Sequence, residues 1–107
     1  MRAFVVYFNH RKQRKRYKNM TLVLNKDYGG FFLPRALCEE LGINRYSESI
    51  ETRTDPRVIE WLRSHPDQCG DLKVIETHGG EITDFFIDEY DGFETLTYVI
   101  DGKLHFC

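Results

Sequence analysis

"TLTYVIDGKLHFC", Thr95 to Cys107, decides the fold. Two runs rich in β-branched and aromatic residues flank Asp101-Gly102, and an Asp-Gly pair in that setting is the strongest short-range signal for a two-residue hairpin turn. A β-hairpin is therefore expected over about residues 95–107. Upstream, "LKVIET" (Leu72–Thr77) and "TDFFIDEY" (Thr83–Tyr90) have the same character, so the chain is expected to end as an antiparallel meander. "RAFVVYF" (Arg2–Phe8) and "MTLVLNK" (Met20–Lys26) also read as strands. Six of the eight residues between Arg11 and Lys18 are basic, which predicts a hairpin between these two strands with a long charged tip at about residues 10–19.

Two helices are expected between the strand groups. Pro34 suits a first helical position and Gly42 a left-handed C-terminal one, and Leu37 and Leu41 share a face with Cys38 beside them. Cys38 accordingly reads as core rather than as a nucleophile. After a polar loop over "GINRYSESIETRT", Asp55 offers an N-cap to Pro56 and the apolar set Val58, Ile59, Trp61 and Leu62, with the helix ending near His65. Strands, helices, then strands predicts an α+β fold: a mainly antiparallel sheet with two short helices packed on one face, in a single domain over residues 1–107.

Composition narrows the classes. A chain of 107 residues is large enough to fold around one core without metal or disulfide staples. Its apolar runs fall short of the roughly 20 residues of a membrane-spanning helix, and "MRAFVVYF" reads as a strand rather than a secretory leader, so a cytoplasmic location is expected. Three cysteines without Cys-x-x-Cys spacing fit reduced thiols and argue against zinc. A net charge of −2 conceals an asymmetry: nine basic residues and one acid precede residue 36, and six basic residues and sixteen acids follow.

Three stretches carry candidate chemistry. In "YGGF", Gly29 and Gly30 between Tyr28 and Phe31 permit positive φ and close approach of a ligand or another backbone; the competing reading is a tight turn whose aromatics fill the core. In "RTDPR", Arg53 and Arg57 flank a helix cap and have the geometry to grip a carboxylate or phosphate with Asp55 orienting them, or else they are neighbours of an ordinary N-cap. "DEYDGFE" holds four acids in seven residues, including Asp91 and Glu94. It lacks the twelve-residue calcium-loop spacing, and strand alternation separates Asp88 from Glu89, so an acidic turn explains it more simply than a metal site. The histidines show no metal or triad spacing, and no cofactor is implied. The basic segment, with Arg11, Lys12, Arg14, Lys15, Arg16 and Lys18, is a candidate contact for nucleic acid or a protein partner.

"YGGFFL", "RTDP", "LKVIET" and "DEYDGFE", in that order across about residues 22–95, resemble a family of small uncharacterised proteins of bacteriophages, bacteria and large DNA viruses. That family carries Tyr-Gly-Gly-Phe-x-Leu-Ser, Arg-x-Asp-Pro and Glu-Tyr-Asp-Gly-x-Glu motifs. This chain differs in having Pro34 where Ser is usual, a longer basic insert, and no His-Arg-x-Trp-like ending. The resemblance implies a shared fold in which the glycine turn, the Arg-Asp-Pro segment and the Asp-Gly turn meet in space; it implies no reaction.

Together these readings lead first to a binding protein that captures an anionic, nucleotide-like small ligand, such as a host defence signal, with a homo-oligomer deepening the pocket. Tyr28 and Phe31 would stack on a base, Arg53 and Arg57 would meet the anion, and Asp91 and Glu94 would accept hydrogen bonds. An inhibitor or adaptor acting through the basic hairpin is the alternative, and a metal-dependent phosphodiesterase using the acidic turn and His78 comes third.

Overall fold

The computed structural model describes the backbone of residues 3–7 and all of residues 17–107. Its order is β1 (Ala3–Tyr7), β2 (Thr21–Asn25), α1 (Arg35–Leu41), α2 (Ile50–Arg53), α3 (Pro56–Ser64), a 3-10 turn (Pro66–Gln68), β3 (Leu72–Glu76), β4 (Asp84–Tyr90), β5 (Phe93–Ile100) and β6 (Lys103–Phe106). The fold is α+β, and every strand pair is antiparallel. The strands divide between a four-stranded sheet, ordered β1-β4-β5-β6, and a two-stranded sheet of β2 and β3.

The C-terminal hairpin forms as its sequence predicts. Asp101 and Gly102 both have positive φ (50° and 75°), and Ile100 pairs with Lys103 across them. Asp91-Gly92 makes a second turn of the same kind between β4 and β5, at φ 52° and 94°. Positive φ at both central residues matches the right-handed twist of the flanking strands, which is why Asp-Gly recurs at both corners.

The expected hairpin between the first two strands is corrected by the structure: β1 lies against β4, and β2 against β3. The cause is the apolar run in β2, where Leu22, Val23 and Leu24 are all fully buried. A strand apolar on both faces needs cover on both. Leu22 and Leu24 join Ile82, Phe85, Ile87, Leu96, Tyr98 and Ile100 in one core. Val23 turns the other way, into a second core with Phe31, Leu33, Leu37, Val58, Trp61, Leu62 and Leu72. The small sheet is thus sandwiched between the large sheet and the helices. Of the expected basic tip, Arg11, Lys12, Arg14, Lys15 and Arg16 fall outside the described residues, and Lys18 is exposed.

Local rules account for the helices. Gly42 closes α1 at φ 67° and donates its N–H to Cys38 O, while Pro34 sits at the cap position rather than inside the helix. Asp55 caps α3 through the Arg57 N–H, with Pro56 following it in the first turn. The segment read as polar loop contains α2, a single turn capped by Ser49 Oγ on the Thr52 N–H. Four residues are too few to show helical periodicity, so nothing in "IETR" announces a helix. Among the described residues, no helix is long and apolar enough to cross a membrane.

Candidate functional site

At the end of β2, Asn25 is buried and ties two segments together. Its side-chain amide donates to Asp27 O at 2.7 Å and to Gly92 O at 2.7 Å, and its backbone N–H donates to Glu94 Oε1 at 2.8 Å. The Gly29 N–H donates to Asp91 O at 3.0 Å, so the glycine turn rests on the Asp91-Gly92 turn. The approach is close: a Cβ on Gly92 would lie 2.2 Å from Gly30 N and 2.6 Å from Gly29 N. Backbone fitting backbone is what these glycines provide, and Gly29 and Gly30 themselves have φ of 118° and 107°.

Arg53 enters the same region from α2 and is 2 % exposed. It donates through Nη1 to Glu94 Oε1 (2.8 Å) and Val23 O (3.0 Å), through Nη2 to Glu94 Oε2 (2.7 Å), and through Nε to Glu48 O (2.8 Å). Its guanidinium carbon stands 4.1 Å above the centre of the Phe31 ring. Four of its five N–H donors are therefore spent inside the protein. Arg53, Glu94 and Phe31 do come together, but as a buried knot joining α2, β5 and the glycine turn; none of the three presents a group to a ligand, which corrects the roles expected of them. The physical reason is that a buried guanidinium needs a bidentate carboxylate, and Glu94, at 1 % exposure, needs its cation equally.

Asp55 and Arg57 lie apart from that knot. Arg57 is 61 % exposed and closes on Asp55 at 2.9 Å, and this hydrogen bond holds the Asp55 carboxyl below its usual range. Both are occupied in starting α3. Asp91 is exposed, and its contribution to the turn contact is its carbonyl.

Glu48, Glu89 and Glu94 bring carboxylate oxygens within 4.8 Å of one another. Asp88, Asp91 and His78 are not part of that cluster, and both oxygens of Glu94 already accept from Arg53. Burial first, and the neighbouring Glu94 and Glu89 after it, push Glu48 above the usual carboxylate range against the opposing pull of Arg53.

In front of the glycine turn lies a cleft of about 370 Å³ whose lining includes Tyr28, Gly29, Gly30, Phe32, Arg45 and Asp71. Tyr28 and Phe32 are 62 % and 48 % exposed. Arg45 is positioned by Leu33: its Nε donates to Leu33 O at 2.9 Å, and its own carbonyl accepts the Leu33 N–H at 2.9 Å. Its guanidinium lies 5.0 Å over the Phe32 ring. On the other side of the same turn, Glu89, Asp91 and Gly92 border a shallower acidic recess of about 270 Å³. A further cleft, about 480 Å³, runs between Met20 on the β2 side and Ile59 on α3 and does not touch the glycine turn.

Asn25, Gly92, Phe32 and Arg45 are the residues that sequence reasoning missed. The Asp91-Gly92 pair announces its own turn. Nothing local marks Arg45, whose place depends on a contact with Leu33, twelve residues earlier. Comparison of the chain with protein-family models, with curated proteins and with solved structures finds no match.

Proposed function

We propose that this chain is a non-catalytic binding protein that captures a small, anionic, ring-bearing ligand of the nucleotide class in the cleft before the glycine turn. The observation that supports this reading is the pairing of a rigid backbone wall with a soft front. Gly29 and Gly30 are held from behind by Asp91 O and Gly92, while Tyr28, Phe32 and Arg45 stand around the opening. Exposed aromatic faces suit a planar base, and a guanidinium already stacked on one of them suits phosphate or carboxylate. In this reading Arg45 takes the part that the sequence assigned to Arg53 and Arg57. Sequestering a nucleotide-type defence signal, the setting the phage-like motifs suggest, requires tight binding and no catalytic group.

The test is mass spectrometry of small molecules released by denaturing the purified protein, together with thermal shifts against mono-, di- and cyclic nucleotides. Wild type is expected to release or respond to one of these, and Arg45→Ala or Phe32→Ala to lose that response while keeping its far-UV spectrum. Arg57→Ala is expected to keep it. An empty protein whose melting temperature ignores the whole panel would overturn the proposal.

A further inference from the structure

The strand β6 stands at one end of the large sheet. Leu96 and Cys107 exchange both backbone hydrogen bonds, at 3.1 Å and 2.9 Å. In an antiparallel ladder such pairs alternate with pairs whose N–H and C=O groups point the other way. The register sets Tyr98 against His105, with Thr97 against Phe106 and Val99 against Leu104 on either side. His105 therefore turns its backbone groups toward β5, and Leu104 and Phe106 turn theirs outward. Among the described residues β6 is an end strand, and those outward groups have no partner. The two side chains also share one face of the sheet and are 60 % and 66 % exposed. An apolar edge with open backbone groups is a template for another strand.

We propose that the occupant is a second copy of this chain, paired antiparallel along β6 about a two-fold axis at His105. This arrangement sets Leu104 opposite Phe106 of the second copy, and Phe106 opposite its Leu104. Both are pairs of outward-pointing residues, so each exchanges two backbone hydrogen bonds, and each joins two apolar side chains on one face. Moving the axis to Leu104 or Phe106 leaves one of the two outward residues without a strand partner. A shift by one residue sets outward groups against inward ones. The edge thus has one register in which every open group is satisfied, and that register is self-complementary, as an isologous interface demands. The two four-stranded sheets become one eight-stranded sheet.

Sedimentation equilibrium of the full chain tests this. Wild type is expected at twice its 12.7 kDa, and Leu104→Lys/Phe106→Lys at the single-chain mass with an unchanged far-UV spectrum. A wild type that stays single, leaving the edge to a foreign peptide or to nothing, or a variant that still doubles, overturns the proposal. A second measurement stands even if that variant misfolds. With Cys38, Cys69 and Cys107 changed to Ser, His105→Cys is expected to cross-link under mild oxidant, because a non-hydrogen-bonded pair on the axis has Cα atoms about 4.5 Å apart, within disulfide span. Lys103→Cys, two positions off the axis, is expected not to cross-link. Absence of the His105→Cys cross-link, or equal cross-linking at both positions, overturns the register.

Discussion

Removing the Arg53 guanidinium leaves Glu94 buried without its ion-pair partner and takes from Val23 O and Glu48 O the donor that Arg53 supplies. Breaking one side of a buried pair costs about 3–5 kcal/mol, so Arg53→Ala is expected to lower unfolding stability by about that amount in urea titration. A loss under about 1 kcal/mol, the worth of an exposed pair, would refute the knot. Glu48 stands beside the same pair with the opposite sign of effect. Because its folded pKa is raised, the folded state holds the proton longer than the unfolded chain does. Its contribution is therefore fully present below the ordinary carboxylate pKa and is lost as pH rises through the raised folded value. Melting temperatures of wild type and Glu48→Gln are expected to diverge as pH rises from the ordinary carboxylate value through that window, with the Gln variant losing less. Parallel curves would show that the burial of Glu48 beside Glu94 and Glu89 has no energetic consequence.

At the scale of elements, the two Asp-Gly corners look alike in sequence and differ in what surrounds them. A Cβ on Gly102 meets nothing within 4 Å, whereas on Gly92 it meets the backbone of Gly29 and Gly30. Positive-φ strain of about 1–3 kcal/mol applies to alanine at either position. Gly92→Ala is expected to exceed that range, because the glycine turn must move off the β4–β5 corner, while Gly102→Ala stays inside it. Equal losses in paired urea titrations would show that the close approach does not constrain the fold. The helices show a similar split between local and distant causes. The bounds of α3 follow from Asp55 and Pro56, and those of α1 from Gly42. By contrast, α2 rests on Ser49 and on carrying Arg53 into the core, and only the second of these distinguishes it from a loop.

At the scale of the whole molecule, β2 is shared by both apolar cores, which ties the large sheet to the helices. Leu24 faces the sheet-side core, and Trp61, the only tryptophan, reports on the helix-side core. Leu24→Ala is expected to cost about 2–5 kcal/mol. Trp61 fluorescence and far-UV circular dichroism should nonetheless share one midpoint, since neither layer keeps its cover without β2. Separate midpoints would mean that the two cores unfold independently. By itself the sequence determined the α+β class, both Asp-Gly corners, the boundaries of α1 and α3 and the turn at Gly29-Gly30, because each of these is set within a few residues by φ preference, capping or alternation. Tertiary structure alone decided that β1 and β2 belong to different sheets, that Arg53 and Glu94 satisfy each other, and that Arg45 stands at the cleft. Those outcomes depend on which apolar face finds cover and which buried charge finds its partner, and residues far apart in the chain settle both.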